Sequence, residues 1–342
     1  MKKTVSCMLV FVMLFMLAFA CVSHGEAKKI SVVTTIFPIY DWVREVVGDN
    51  ENVEITMLLD NGVDLHSYQP AAADIMKVAT CDLFAYVGGE SDEWVGDVLA
   101  ESVNPAMKAV SLVEAMGEDI RTEEIVEGME HDHDHGEEEH DHDADAHDED
   151  EHDHEEGEHD HEAEADEHVW LSLRNAQKLV GVIADALAEV DPVNAAAYRE
   201  NAAAYASRLS DLDARYAAAR EAADFDTVLF GDRFPFRYLA DDYDLNYYAA
   251  FSGCSAESEA SFETVVFLAG KVDELGLTTV LTIEGDNHRI AQTIVENTRD
   301  KAAKVLSMDS LQATTGEDAG KGVTYLGVME ANLEVLRQAL TR

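Results

Sequence analysis

Short apolar runs alternate with segments of helical periodicity along the first part of the chain. The runs predict strands at Ile30–Thr35, Val53–Leu59 and Leu83–Val87. Between the strands, the spacing predicts helices at Ile39–Val47 and Ala72–Thr80. Because no two-residue hairpin turn joins these strands, the alternation favours a parallel sheet with crossover helices.

The same alternation returns in the last third of the chain. The predicted strands are 227–230, 247–251, 279–283 and 305–306, and the predicted helices are 236–243, 261–274, 288–301 and 323–340. The last helix has the clearest pattern, with apolar residues at helical spacing from Leu326 to Leu340. These elements predict a second α/β lobe.

Two further helices lie between these lobes. Ser172 is a good N-cap for a helix over Leu173–Val190, and Asp191-Pro192 has the composition of a second helix start. Ala-rich sequence continues to about Ala222, so this helix would span roughly 45 Å. The prediction is therefore two Rossmann-like α/β lobes with parallel sheets, 30–190 and 223–342, joined by one long backbone helix over 191–222.

An acidic, histidine-rich segment interrupts the first lobe at 121–167. Its ten histidines are His131, His133, His135, His140, His142, His147, His152, His154, His159 and His161. Between Glu130 and Glu167 there are 22 acidic residues and no Lys or Arg. So polar a run has no apolar side chains with which to build a core, which predicts a solvated, disordered loop. Neutral imidazole suits zinc, copper and nickel, so we expect the loop to collect such ions.

The chain is strongly acidic even outside this loop. Residues 130–167 supply 22 negative charges, less than half of the formal net charge of −46. Such a surface repels phosphates and attracts cations, which argues against DNA or RNA as a partner.

The N-terminus has the features of an export signal. Lys2 and Lys3 precede an apolar run that ends just before Cys21, so residues 1–20 are predicted to be a signal peptide. Cys21 follows a small residue, as in a bacterial lipobox. We therefore expect Cys21 to be lipidated, residues 21–29 to form a tether, and the protein to be anchored to the outer face of the cell membrane. The alternative is cleavage after Ala20, which would release a soluble periplasmic protein.

Cys7 lies in the predicted signal peptide and Cys21 is the predicted lipidation site. The two other cysteines are Cys81 and Cys254. They could form one disulfide in an oxidising compartment. Cys81 precedes an apolar run, however, which favours a small buried residue with a free thiol.

Several short motifs, taken together, resemble one protein family. They are Thr34–Pro38, Asp64–Pro70, Asp82–Trp94, His168–Ser172, Gly231–Tyr238, Ile283-Glu284 and Tyr325–Leu340. In this order they resemble the solute-binding proteins of metal-ion ABC importers, in the zinc/manganese group of zinc-uptake and surface-adhesin proteins. The resemblance implies one metal site in the cleft between the lobes, with two ligands from each lobe.

The resemblance also indicates which residues bind the ion. His66 and His168 match the first-lobe ligands. At the third position, ungapped alignment places Arg233, which has no lone pair to give, and a shift of one residue places Asp232. Asp232 is therefore the predicted third ligand. Asp309 is the predicted fourth, with Glu284 as the alternative.

Two histidines and two carboxylates would suit zinc and manganese almost equally, but the imidazole-rich loop favours zinc. The family implies capture of zinc outside the cytoplasm and its delivery to an ABC permease with a cytoplasmic ATPase; we expect a monomer. The alternatives are manganese uptake, or a surface adhesin or metal buffer. No His-Glu-x-x-His or Gly-x-Ser-x-Gly motif is present, so the sequence does not predict an enzyme.

Overall fold

The strands of the first lobe form one parallel sheet. Its elements are β1 Ile30–Thr34, α1 Phe37–Val47, β2 Val53–Met57, α2 Ala72–Thr80, β3 Leu83–Tyr86, α3 Trp94–Ala100, β4 Lys108–Ser111 and α4 Leu112–Met116. The strand order is β2-β1-β3-β4, with Val32 paired to Ile55 on one side and to Leu83 on the other. The sequence did not predict β4, because this edge strand begins with exposed residues and has no apolar run.

This computed structural model describes residues 29–130, 165–255, 259–285 and 287–342. The predicted signal peptide, Cys21 and all ten loop histidines lie outside the described residues. The described helices include none that is both long and apolar enough to cross a membrane.

Two helices, α5 Leu173–Val190 and α6 Ala195–Glu221, connect the lobes. Ser172 caps α5 as predicted, since its Oγ accepts a hydrogen bond from Asn175 N–H at 3.0 Å. Asp191 does not cap α6, which begins three residues later than its pattern predicted. The Asp191 carboxylate instead accepts hydrogen bonds from the Tyr198 hydroxyl and the Asn194 amide, both at 2.7 Å.

The second lobe repeats the winding of the first. Its elements are β5 Thr227–Phe234, α7 Arg237–Asp242, β6 Asn246–Ser252, α8 Phe262–Leu275, β7 Thr279–Thr282, α9 Arg289–Asn297, β8 Lys304–Ser307, α10 Gly316–Gly320 and α11 Tyr325–Ala339. The strand order β6-β5-β7-β8 is again fully parallel. In both sheets the order reverses next to the first strand, where open α/β sheets bind ligands at their carboxyl ends.

A bulge lengthens β5 beyond its predicted end at Phe230. Phe230 pairs with Ala249 and Arg233 with Phe251, so β5 has one residue more than β6 in this interval. A Cβ at Gly231 would lie 2.5 Å from Ala291 Cα, so only glycine permits α9 to pack this closely. The bulge places Asp232 within the strand, at the edge that faces the first lobe.

Buried hydrogen bonds fasten the lobes together. The Trp170 indole donates to the Ser310 carbonyl at 2.9 Å, and the Tyr325 hydroxyl donates to the Trp170 carbonyl at 2.6 Å. The backbone N–H of Tyr325 donates to Asp41 Oδ2 at 2.8 Å. These groups are almost completely buried, so each bond connects the lobes in a dry environment.

Residues 121–130, predicted as part of the disordered loop, pack on the second lobe. Arg237 and Tyr247 both contact the Glu124 carboxylate, and Met129 is buried. At the far end, Ala165 pairs with Thr122 in an antiparallel bridge. Partners on the second lobe thus give structure to the start of this segment, and its far end pairs with that start.

The first prediction concerns the Tyr325 hydroxyl. Tyr325→Phe removes the donor to the buried Trp170 carbonyl, so we expect a loss of about 1–3 kcal/mol in the free energy of unfolding, measured in urea. Tyr247→Phe is the matched control, because its hydroxyl contacts the half-exposed Glu124, and should change stability by less than about 0.5 kcal/mol. Equal losses in the two variants would contradict the role of the buried bond.

The second prediction concerns pH and Asp41. Burial raises the pKa of Asp41 to about 6, whereas an unfolded chain has a value near 3.9. Between these values the folded state holds a proton that the unfolded state has lost, so this contribution to stability falls as pH rises. Asp41→Asn removes the titration. Relative to the wild type, the variant should gain about 2 kcal/mol between about pH 4.5 and pH 7.5.

Urea unfolding with a chelator present at both pH values measures this difference. Asp185→Asn, at an exposed position of α5, is the control and should show a smaller change. A difference between wild type and Asp41→Asn that does not vary with pH would disprove the assignment.

Candidate metal site

His66 lies in a short 3₁₀ turn, Leu65–Ser67, that follows β2. The Asp64 carboxylate caps this turn by accepting the His66 N–H at 3.0 Å. The side chain of His66 is 9% exposed, and its Nδ1 lies 2.8 Å from Ser91 Oγ in the turn after β3. The carboxyl ends of β2 and β3 therefore position this imidazole from both sides.

His168 is completely buried and comes just before the 3₁₀ turn Val169–Leu171. Asp166 Oδ1 accepts hydrogen bonds from both the N–H and Nδ1 of His168, each at 2.9 Å. Because the carboxylate accepts a hydrogen bond from Nδ1–H, Nε2 of the neutral ring carries the lone pair. An imidazole held in this way is oriented as in many metal sites, where a carboxylate fixes the tautomer of the ligand.

The two imidazoles face each other through Nε2 at 3.3 Å. Two nitrogens bound to one tetrahedral zinc, each at about 2.0–2.1 Å, lie roughly 3.3–3.4 Å apart. When Ser91 Oγ accepts from Nδ1 of His66, both Nε2 atoms have free lone pairs. The geometry of the pair therefore matches two ligands of one ion.

Burial lowers the pKa of His66 to about 4. A neutral imidazole is the form that binds metal. At neutral pH, protons therefore compete weakly with an ion at this ring.

Asp232 and Asp64 both lie around Arg233. The Arg233 guanidinium forms an ion pair with Asp64 Oδ2 at 2.6 Å, which crosses from the second lobe to the turn of His66. Asp64 and nearby Asp232 and Glu284 raise the pKa of Arg233 above its usual value. The Asp232 carboxylate also accepts the Thr282 hydroxyl at 2.5 Å. Asp232 thus serves as a partner of Arg233 and Thr282 and does not join the histidine pair.

The other predicted carboxylates also have partners away from the histidines. Both oxygens of Glu284 accept from Ser310, at 2.7 Å from N–H and 2.6 Å from the hydroxyl. Asp309 Oδ1 accepts Leu311 N–H at 2.7 Å, and burial raises the pKa of Asp309 to about 6. In the described part of the chain, neither Asp232, Asp309 nor Glu284 belongs to a group of metal-binding atoms with the two histidines. The ligand roles of Asp232 and Asp309 remain predictions, and these contacts do not support them.

The structure brings two other residues to the histidines, Cys254 and Glu167. They line, with His66, an open cleft of about 350 Å³. The ligand atoms of His66, His168 and Cys254 all lie within 4.8 Å of one another. Glu167 Oε2 lies 4.0 Å from His66 Nδ1. The only sequence signals were the position of Cys254 just after a predicted strand and that of Glu167 next to His168.

Cys81 and His288 are the remaining cysteine and histidine among the described residues. Cys81 is buried, and burial raises the pKa of its thiol to about 12. Neither Cys81 nor Cys254 forms a disulfide with any described residue. Nδ1 of His288 lies 3.3 Å from the Thr282 hydroxyl, on the second lobe.

Sequence comparisons place these features among known proteins. Residues 32–339 match the family described as zinc-uptake complex component A, periplasmic. The chain is 32% identical over 320 residues to the zinc-binding lipoprotein AdcA of Streptococcus pneumoniae (strain ATCC BAA-255 / R6), covering 93% of this chain but 58% of that relative. It is 29% identical over 318 residues to the high-affinity zinc uptake system protein ZnuA of Bacillus subtilis (strain 168), covering 93% and 90%.

Solved structures show the same architecture. The zinc(II)-bound ZnuA-like domain of S. pneumoniae AdcA matches with a TM-score of 0.67 and 27% identity, over 91% of this chain and 99% of that one. The metal-dependent lipoprotein YcdH of B. subtilis, at 24% identity, matches in fold with a TM-score of 0.69 over 91% and 99%. The two-lobed parallel α/β fold predicted from the sequence is thereby confirmed. Together with the family match over nearly the whole described chain, it shows that this protein belongs to the ZnuA family of solute-binding proteins.

Proposed function

We propose that this protein captures a zinc ion outside the cytoplasm and delivers it to an ABC-type permease driven by a cytoplasmic ATPase. The observation that carries the proposal is the pair of Nε2 atoms of His66 and His168, 3.3 Å apart in the cleft. Asp166 orients the ring of His168, and Ser91 orients that of His66. The pair therefore needs little rearrangement to bind an ion.

Zinc is the cargo that these donors favour. Imidazole suits zinc better than manganese, whose preferred ligands are oxygens. The relatives' names agree, since AdcA is described as a zinc-binding lipoprotein and ZnuA as part of a high-affinity zinc uptake system. A manganese-specific binding protein is the alternative that a competition experiment would reveal.

The protein is proposed to bind and release the ion without catalysing a reaction. A zinc hydrolase would need an open water position next to a general base. Of the two buried carboxylates beside the pair, Asp166 accepts Nδ1–H of His168 at 2.9 Å and Glu167 accepts the Ser91 N–H through Oε1 at 2.8 Å. The ion is therefore proposed to be held, carried and passed on.

Residues 131–164, the part of the acidic segment that contains its ten histidines, are proposed to gather zinc next to this site. The residue before it, Glu130, donates its N–H to the Ala250 carbonyl at 2.9 Å, four residues before Cys254. The first residues after it, Ala165 and Asp166, lead directly to His168. Both ends are therefore fixed beside the cleft, which keeps its ten imidazoles at a high local concentration.

Tethering to the membrane through a lipid on Cys21 is part of the same proposal. A lipid anchor would hold the protein near its permease, whereas cleavage after Ala20 would leave it soluble. Mass spectrometry of the mature N-terminus distinguishes these forms. The protein is proposed to act as a monomer, with the site formed within one chain.

The third prediction tests the histidine pair. In a variant with 131–164 replaced by a short Gly-Ser linker, isothermal titration should show one tight zinc site. His66→Ala or His168→Ala should weaken it by more than about 100-fold, beyond the usual effect of losing an orienting group. His288→Ala, on the second lobe, is the matched control and should bind zinc like the parent.

Two outcomes would decide against the proposal. If the linker variant has no tight one-to-one site for zinc, the segment 131–164 is itself the binding element, as in a metal buffer. If manganese binds more tightly than zinc, the protein is a manganese carrier. Asp232→Asn and Asp309→Asn in the same series test the two predicted carboxylate ligands.

The fourth prediction tests orientation by Asp166. Asp166→Ala should weaken zinc binding about 10- to 100-fold, because Nδ1 of His168 loses its acceptor. Asp166→Asn retains an oxygen acceptor and should restore part of the affinity. Isothermal titration of both variants checks this order, and equal weakening by both would show that charge matters more than orientation.

A further inference from the structure

We infer that the thiolate of Cys254 is a third ligand of the transported ion and that it gives the site a preference for zinc over manganese. This inference rests on the proposed function, because it concerns the same ion in the same cleft. It concerns a residue that the sequence suggested only as a disulfide partner.

The first argument is distance. One ring nitrogen of His66, one of His168 and the Cys254 Sγ all lie within 4.8 Å of one another, and no other such group of three occurs among the described residues. In a tetrahedral zinc site, a nitrogen at about 2.0–2.1 Å and a sulfur at about 2.3 Å are roughly 3.6 Å apart. A movement of Sγ on the order of 1 Å therefore brings all three atoms to bonding distance.

The second argument is how the chain holds Cys254 beside His168. Gly253 is buried, and a Cβ there would lie 3.1 Å from Cε1 and 3.2 Å from Nδ1 of His168. A side chain at this position would require the ring or the backbone to shift by a few tenths of an ångström. The next N–H, that of Cys254, donates to Glu123 Oε1 at 2.9 Å. The loop after β6 is thus fixed from two sides with Cys254 facing the first lobe.

The third argument is charge. Glu167 is 1% exposed, and its Oε2 accepts no hydrogen bond from any described residue. It lies in the wall of the cleft that also contains Cys254. On the other side of His66 is the cationic Arg233. A divalent cation is therefore favoured on the side of Cys254 and Glu167.

Zinc offsets negative charge on this side. Its +2 charge matches the Cys254 thiolate and the Glu167 carboxylate, and the Asp166 carboxylate beside His168 adds one further negative charge. When zinc binds, the thiol proton is released to solvent as the sulfur–zinc bond forms, and no other reactant is needed. A cation that offsets the buried anions beside it lowers the large cost of an uncompensated charge.

Thiolate also explains the choice of ion. Soft sulfur ligands favour zinc, whereas manganese prefers carboxylate, carbonyl and water. Replacing Cys254 by an oxygen donor should therefore reduce the ratio of zinc affinity to manganese affinity, in addition to weakening zinc binding.

The fifth prediction uses Co²⁺ as a spectroscopic probe. The chain without its predicted signal peptide, with Cys21→Ser in every sample, is titrated with Co²⁺. A thiolate ligand gives a sulfur-to-cobalt charge-transfer band in the near ultraviolet, which histidine and carboxylate ligands do not give. We expect this band to reach its maximum at one equivalent and to disappear when zinc is added.

Cys254→Ser and Cys254→Ala should abolish the band, whereas Cys81→Ser, at the other cysteine, should retain it. Circular dichroism of each variant checks that it folds. By competition titration, Cys254→Ser should lower the zinc-to-manganese affinity ratio by about tenfold or more.

The outcomes separate this inference from the proposed function. If one tight zinc site that depends on His66 persists but no charge-transfer band forms, Cys254 is not a ligand and zinc capture stands. If the band persists in both Cys254 variants, the sulfur comes from elsewhere and the inference is wrong. If the wild type has no tight zinc site, the proposed function itself fails.

Discussion

The hydrogen bond between Nδ1 of His168 and the Asp166 carboxylate is the contact on which the site depends. The backbone of Asp166 is held in turn by the second lobe, because the Tyr238 hydroxyl donates to its carbonyl at 2.9 Å. The same hydroxyl accepts the Arg121 N–H at 2.9 Å. The orientation of one buried imidazole therefore requires that both lobes and the strand-like segment at Arg121 are already in place.

Arg233 divides the cleft into two sides of different charge. Its guanidinium reaches across to Asp64, which also caps the turn that contains His66. The acidic groups around it neutralise a cation that belongs to the protein, so they have less attraction left for a metal. The carboxylates beside Arg233 thus have a cationic partner within the protein, a relation that is visible only in three dimensions.

The sequence predicted the features that depend on local chemistry. Strand and helix alternation gave both parallel sheets, Ser172 was correctly identified as a cap, and family motifs indicated His66 and His168, which the structure brings together. The bulge at Asp232 and the proximity of Cys254 depend on β5, β6 and α9 packing against one another. No periodicity encodes such contacts between elements that are distant in sequence. Gly253 is visible in the sequence, but its close approach to the His168 ring can be seen only in three dimensions.

Helix α6 has a consequence for how quickly an ion can leave. Its first half is fastened to α1, where the Asn201 amide donates to the Val46 carbonyl at 3.0 Å, and its second half to α11, where the Tyr216 hydroxyl donates to the Met329 carbonyl at 2.6 Å. A strut held at both ends resists rotation of one lobe against the other. Dissociation of the ion would then require local displacement of a short loop at the cleft. A docking surface that moves this loop would set how long the ion stays bound.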